Sequence, residues 1–279
     1  MIKNITQLFL EQAKKKKRKI GIVIMRPTPE TIASLKQASN IADLVVIGSK
    51  VEGFNNIVEE DQDEAAKILI TQLKENKVEG IVRGQAKDSY TFELFHKIYG
   101  KQKPPSNRKV CPCIMESPDG KISFVMTSAS IYHDMTLEDK KYLADRTIQY
   151  MEEVLKLKPK IGIMSSRRPT GLVGQFSILE DFAKNSAGLA QHLKKKGYEV
   201  NEVYIELETA VAWGANYIIP TIGLLGNVIF RSLVYLGNWR LISCPYLDLG
   251  VVYEDGSRNE TDFYNHIVHA AAMLNSDKK

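Results

Sequence analysis

Five short segments hold the residues whose types and spacing suit chemistry: RPTPE from Arg26, GSKVEG from Gly48, RGQAKDS from Arg83, SSRRPTG from Ser165 and TIGLLGN from Thr221. Each follows an apolar, β-branched run, and helical periodicity resumes just downstream. Glycines, hydroxyls and arginines recur in them. Arginine forks and the first amides of a helix both favour phosphate or carboxylate, and in open parallel sheets ligands bind beyond the carboxyl ends of the strands. Arg26, Arg83, Arg167 and Arg168 all fall at or beside such ends. The pattern predicts an anionic ligand, with Arg83 and Gly84 on one loop and Ser165, Ser166 and Arg167 on another.

Two later segments add to this. In GNVIFRSLVYLG, Gly226 and Asn227 stand where a strand-to-helix turn takes a small residue and a capping side chain. Ile229, Leu233 and Leu236 form one apolar face there, and Arg231 reads as a cleft-facing or a solvated cation. In the tail DGSRNETDFYNHIVHAAAML, Ser257 and Arg258 precede a helix that opens on Glu260 and Asp262. Acids at a helix start also serve as plain caps. Asp262, His266 and His269 share one helix face, the spacing of a metal trio, but no fourth ligand lies nearby in sequence, and the reading is of no metal.

Familiar cofactor motifs are absent. There is no GxxxxGK[ST] and no GxGxxG after a strand. The first loop is RPTPE and the second strand ends in Gly48, where a common S-adenosylmethionine site would have a glycine-rich loop and an acid, so no intrinsic binding of that cofactor is expected. HExxH and paired CxxC motifs are missing too. Cys111, Cys113 and Cys244 make an odd, low count without framework spacing, which points to a reducing, cytoplasmic setting. Cys111 and Cys113 would face the same side of a strand, and two thiols buried in a sheet core is the reading preferred over a redox or metal pair.

The elements that must position these residues alternate. Strands are expected over 20–25, 42–48, 78–84, 109–115, 122–128, 160–166, 200–205, 216–220 and 240–246. Helices are expected over 4–17, 28–39, 61–76, 88–99, 136–156, 176–196, 225–237 and 259–274. Near-continuous apolar strands between amphipathic helices argue for a three-layer α/β architecture with parallel sheets. The Pro118-Asp119-Gly120 turn marks a hairpin.

The chain has 279 residues, 44% hydrophobic and 25% charged, and a net charge of +5. That length needs no disulfide or metal staple. No apolar stretch reaches membrane-spanning length, and the N-terminus does not read as a secretory signal, because its basic residues follow the apolar ones. The run Lys14–Lys19 supplies the positive balance; without it the chain is close to neutral. The run reads as the solvated end of the first helix, with an RNA- or membrane-contacting tail as the alternative. No aromatic residue interleaves with it, which weighs against nucleic acid.

Four segments together resemble the phosphate acetyl/butyryltransferase superfamily over almost the whole chain: VEGIVRGQAKDSYTF from Val78, KPKIGIMSSRRPTG from Lys158, ANYIIPTIGLLGNVIFRSLVYLG from Ala215 and GSRNETDFYNHIVHA from Gly256. PKIGIMS, GNVIFRSLV and YEDGSR place the chain nearest the MtxX-like group, a methanogenesis-marker family labelled a methyltransferase subunit. The resemblance implies the phosphate acyltransferase fold, which is also the isocitrate/isopropylmalate dehydrogenase-like fold. It implies a first α/β lobe of 1–127 plus 243–279, a second of 128–242 that forms a homodimer, and a site in the cleft between lobes. It further implies transfer of an acyl group between phosphate and the thiol of coenzyme A, a co-substrate and not a tightly bound cofactor. Asp262 would then be the base, and Ser257 and Arg258 would hold the carbonyl and phosphate. Arg83, Gly84, Ser165, Ser166 and Arg167 would contact substrate, as would Gly226, Asn227 and Arg231. The alternative is a methyltransferase-related subunit that binds a phosphorylated or CoA-like ligand without acyl exchange. The chain departs from the superfamily at Leu94, where the acyltransferases carry an arginine.

Overall fold

The computed structural model describes residues 5–100, 109–127, 136–166 and 177–276. It divides into two compact units, Met1–Asn107 with Ile242–Lys279, and Arg108–Leu241.

The first unit is built on five parallel strands: β1 (Arg18–Ile24), β2 (Ala42–Gly48), β3 (Asn55–Val58), β4 (Gly80–Val82) and β11 (Val252–Glu254). Their order is β11-β4-β1-β2-β3. β1 is central and the chain leaves it in both directions, so β1 and β4 flank a topological switch point, where this architecture places ligands. Ile20, Ile22, Val23, Ile24, Val46 and Ile47 are fully buried, as strands covered on both faces require. Helices α1 (Ile5–Ala13), α2 (Pro29–Ala38), α3 (Gln62–Lys74), α4 (Asp88–Tyr99) and α9 (Tyr264–Asn275) supply the cover. A Cβ on Gly21 would meet Leu69 of α3, and one on Gly80 would meet Leu274 of α9. Gly80 pairs with Ile20, the neighbour of Gly21. Successive side chains face opposite sides, so α3 and α9 lie on opposite faces and the unit has three layers. The C-terminal strand and helix therefore return to the N-terminal unit. Asn275 accepts from Arg18 Nε at 2.6 Å and donates to the carbonyls of Gln12, Ala13 and Lys16.

Local sequence sets the helix starts. Thr28 caps α2 through Thr31 N, with Pro29 in the first turn. Asp61 accepts from Asp63 N and Glu64 N at the start of α3. Of the basic run, Arg18 begins β1 and pairs with Glu79 at 2.7 Å, while Lys14 to Lys17 follow α1 and are exposed.

The second sheet holds β5 (Cys113–Glu116), β6 (Ser123–Met126), β7 (Lys160–Met164), β8 (Glu199–Tyr204), β9 (Tyr217–Ile219) and β10 (Arg240–Ser243), in the order β10-β5-β6-β9-β7-β8, and all but the end of β10 belong to the second unit. β5 and β6 form the expected antiparallel hairpin; β6, β9, β7 and β8 are parallel neighbours. Its helices are α5 (Leu137–Glu153), α6 (Ser177–Lys195), α7 (Leu207–Trp213) and α8 (Gly223–Arg231), and α8 runs on into a π-helical turn, Ser232–Leu236. α5 starts with a capping box between Thr136 and Asp139.

Sequence reading ends the first lobe at residue 127. The hairpin of β5 and β6 nonetheless belongs to the second sheet, because Val125 and Met126 pair with Tyr217 and Ile218 and Phe124 packs on Trp239 at 5.5 Å.

Candidate functional site

The site of the first unit forms where β1, β2, β4 and β11 end. Two glycines allow the backbones to close up there. Gly84, after β4, has φ +60°, and a Cβ would collide with the carbonyl oxygen of Val23. Gly48, at the end of β2, has φ +115°, and a Cβ would collide with that of Ile24. With both side chains absent, the next residues bond straight across: Gln85 N donates to Val23 O at 2.9 Å and Ser49 N to Ile24 O at 2.8 Å.

Gln85 is buried, and its Oε1 accepts from Met25 N at 2.8 Å and Arg26 N at 2.7 Å. This holds the loop after β1 and presents Arg26, whose Nη2 donates to the carbonyl oxygen of Arg258 at 3.2 Å. Ser257 shapes its own turn: its carbonyl accepts from Glu260 N at 2.9 Å and its Oγ from Asn259 N at 3.4 Å. Arg258 is exposed. Asp262 is exposed too, and its Oδ1 accepts from Tyr264 N, the first N–H of α9, at 2.9 Å. Ser257, Arg258 and Asp262 thus lie on the connection from β11 to α9, the first two on one turn, and Arg26 meets that turn at the Arg258 backbone.

Arg83 has a different part from the one its position suggests. It is 3% exposed, and its guanidinium donates to Asp255 Oδ1 and to the carbonyls of Ala86 and Gly256. Burial works against its charge, but the Asp255 carboxylate overcomes that and raises the pKa above the ordinary arginine value. Arg83 therefore ties the loop after β4 to the loop after β11.

Beneath this turn lies a buried charge cluster that the sequence did not disclose. Glu254, last residue of β11, is fully buried; its Oε1 accepts from Cys244 N at 2.6 Å and pairs with His266 Nδ1 at 2.9 Å, while its Oε2 pairs with His269 Nδ1 at 2.7 Å. His266 Nε2 lies 2.9 Å from Glu260 Oε2. Burial pushes the Glu254 carboxyl up, but His269 and His266 reverse this and bring it to about 2. Burial likewise opposes a charged His266, and Glu260 with Glu254 raises it to about 10. The metal-trio spacing is thereby resolved. His266 and His269 turn to Glu254, Asp262 points elsewhere, and among the described residues no cluster could hold a metal ion.

In the second unit, Ser165 follows β7 and is buried, with its N–H donating to Tyr204 O at 2.7 Å. Ser166 Oγ donates to Leu179 O at 2.7 Å. Arg167 and Arg168 lie outside the described residues. The register Ile163↔Ile219 brings Ser165 and Thr221 to the same level at the ends of neighbouring strands. Thr221 is buried, and its Oγ1 has no hydrogen-bond partner among the described residues. α8 begins at Gly223 with Ile222 as its N-cap and no side-chain cap. Gly226 and Asn227 therefore lie within the helix and not at the strand-to-helix turn, since the helical ladder starts with Gly226 N donating to Ile222 O at 3.2 Å. Arg231 is exposed and stacks over Tyr235, 5.0 Å from the ring centre.

With this geometry established, comparison with known proteins is informative. The chain is 26% identical over 279 residues to the protein named "Putative methyltransferase mtx subunit X" of Methanosarcina mazei, covering 96% of this chain and 95% of that one. A phosphotransacetylase from Streptococcus pyogenes shares the fold with a TM-score of 0.67 at 16% identity, covering 98% of this chain and 99% of that one. A branched-chain phosphotransacylase from Enterococcus faecalis V583 gives 0.68 at 13% identity, with 93% and 100% covered. No family model matches the chain. The chain has the phosphate acyltransferase fold, and both sides of the resemblance read from the sequence are borne out.

Proposed function

We propose, for a chain of phosphate acyltransferase fold that resembles MtxX proteins over its whole length, a cytoplasmic transferase that moves an acyl group between phosphate and a CoA-type thiol. One observation carries the reading. The guanidinium of Arg26 hydrogen-bonds the backbone of Arg258, and among the described residues no carboxylate pairs with either arginine. Two like charges held at a ligand-binding strand edge without a counter-ion suit a phosphoryl group.

In the proposed reaction the thiol sulfur attacks the acyl carbonyl carbon. A C–S bond forms, the C–O bond to phosphate breaks, and phosphate leaves with the electron pair. Asp262 takes the thiol proton, Ser257 holds the carbonyl, and Arg258 with Arg26 stabilises the departing charge. Arg258→Ala should weaken binding of phosphate and coenzyme A about tenfold or more, the loss of one charged hydrogen bond. Calorimetric affinities unchanged within error would place the site elsewhere.

The name of the Methanosarcina mazei relative favours a second reading, a methyltransferase-related subunit; on that reading the anionic site would hold a phosphorylated or CoA-like ligand of one-carbon metabolism without acyl exchange. Both readings include a homodimer through the second unit. Leu224, Val228, Tyr235 and Leu236 present large apolar surface along α8 and its π-turn, with Leu236 83% exposed. Light scattering should give a dimer for the wild type and a monomer for Leu236→Glu; a monomeric wild type at tens of micromolar would contradict this.

A further inference from the structure

Lys140 has a buried side chain and, among the described residues, no ion-pair partner. It stands in the first turn of α5 and is 4% exposed. The acids of its own helix turn are engaged: Glu138 pairs with Lys141 at 2.7 Å and Asp139 completes the capping box on Thr136. Further along, Asp145 is taken by Lys196 at 2.7 Å and His192 at 3.1 Å. No hydrogen bond or ion pair reaches the Lys140 amine among the described residues. Burial lowers its pKa to about 8. Arg83, equally buried, has Asp255. An unpaired buried charge is costly, and leucine or methionine would fill this helix face without that penalty.

Its level in the fold can be placed against the strand ends. Thr147, two turns further along α5, accepts from Thr127 Oγ1 at 3.4 Å, just past the end of β6. At 1.5 Å per residue Lys140 therefore lies about 10 Å beyond that strand end. This is the carboxyl edge of the parallel strands β6, β9 and β7. Among the described residues, the same edge carries the unpartnered Thr221 hydroxyl and the start of α8, which lacks a side-chain cap.

We propose that Lys140 is the positive charge of an anion subsite on the second unit, taking a phosphate or carboxylate group of a ligand over the carboxyl edge of that sheet. This rests on the reading that the chain takes an anionic ligand, and it adds a contact that the Ser257–Arg258 turn does not contain. An anion beside the amine favours its charged form, so binding must raise its pKa.

The test uses the full chain, with inorganic phosphate and acetate as separate probes, following lysine side-chain NMR signals and thermal unfolding. The Lys140 signal, assigned by its loss in Lys140→Met, should titrate near pH 8 and move upward with one probe or both; which one distinguishes phosphate from carboxylate recognition. Lys140→Met should unfold no earlier than wild type, yet need at least about tenfold more of the same anion for equal stabilisation. If the anion stabilises Lys140→Met as it does wild type while Arg258→Ala loses the response, the subsite is wrong and the proposed function stands. If Arg258→Ala responds normally and Lys140→Met does not, the subsite stands and the Arg258 site fails. Should Lys140→Met not fold, the Lys signal titrating near pH 8 is followed in wild type, and no movement at saturating phosphate and acetate overturns the proposal.

Discussion

Replacing Asp262 by asparagine should reduce acyl-phosphate/coenzyme A exchange at least about a hundredfold, the usual scale for loss of a general base, while ligand binding stays nearly intact. Asparagine keeps the Oδ1 that accepts from Tyr264 N, so the first N–H of α9 keeps its partner and the effect isolates the chemistry. A carboxylate is a much weaker base than a thiolate. Asp262 can therefore serve only where positive charge stabilises the sulfur; on this reading Arg258 of the turn and Arg26, bonded to the Arg258 backbone, would supply it. Single-turnover and binding measurements on the same variant separate the two effects. If exchange persists at the wild-type rate, Asp262 holds that N–H and does nothing more.

A second large effect is expected from Glu254→Gln. The carboxylate holds two buried imidazoles and a backbone N–H, and the amide would turn an NH2 toward a ring that donates. Breaking a buried ion pair on one side typically costs about 3–5 kcal/mol, which urea unfolding at pH 7 would show as a large drop in midpoint. The pH dependence carries the signature. Glu254, lowered from 4.5 to about 2, contributes stability that is full above pH 4.5 and lost as the pH falls through 2. His266, raised from 6.5 to about 10, contributes stability that is full below pH 6.5 and lost as the pH rises through 10. Wild-type stability from this cluster should therefore be greatest between pH 4.5 and 6.5, and Glu254→Gln should flatten the profile. An unchanged midpoint and profile would show that the cluster contributes nothing net.

Most of the fold was legible because the longer strands are uninterrupted apolar runs: β1 and β2 fall almost where Ile20–Met25 and Ala42–Gly48 placed them. The elements that escaped are short. β3 has four residues, half exposed, and α7 has seven. β11 is three residues ending in a buried glutamate, which breaks the apolar pattern, and its partners His266 and His269 lie 12 and 15 residues away in sequence. The same distance problem governs Arg83. Its strand-end position was visible, but Asp255, 172 residues later, is not a neighbour that local spacing can reveal. Lys140 reads as one more charge in a polar helix start; only its burial makes it unusual. Ser257, Arg258 and Asp262 could be grouped as candidates because they occupy one short stretch, and the close backbone approach at Gly84 was legible because a glycine directly after a strand signals it.

The most direct test of the acyl-transfer account is the exchange reaction itself. Purified wild-type protein incubated with coenzyme A and acetyl, propionyl or butyryl phosphate should form acyl-CoA and release phosphate in equal amounts, with no binding of S-adenosylmethionine by calorimetry. No exchange with any of the three would contradict it, and micromolar binding of S-adenosylmethionine would favour the methyltransferase reading instead.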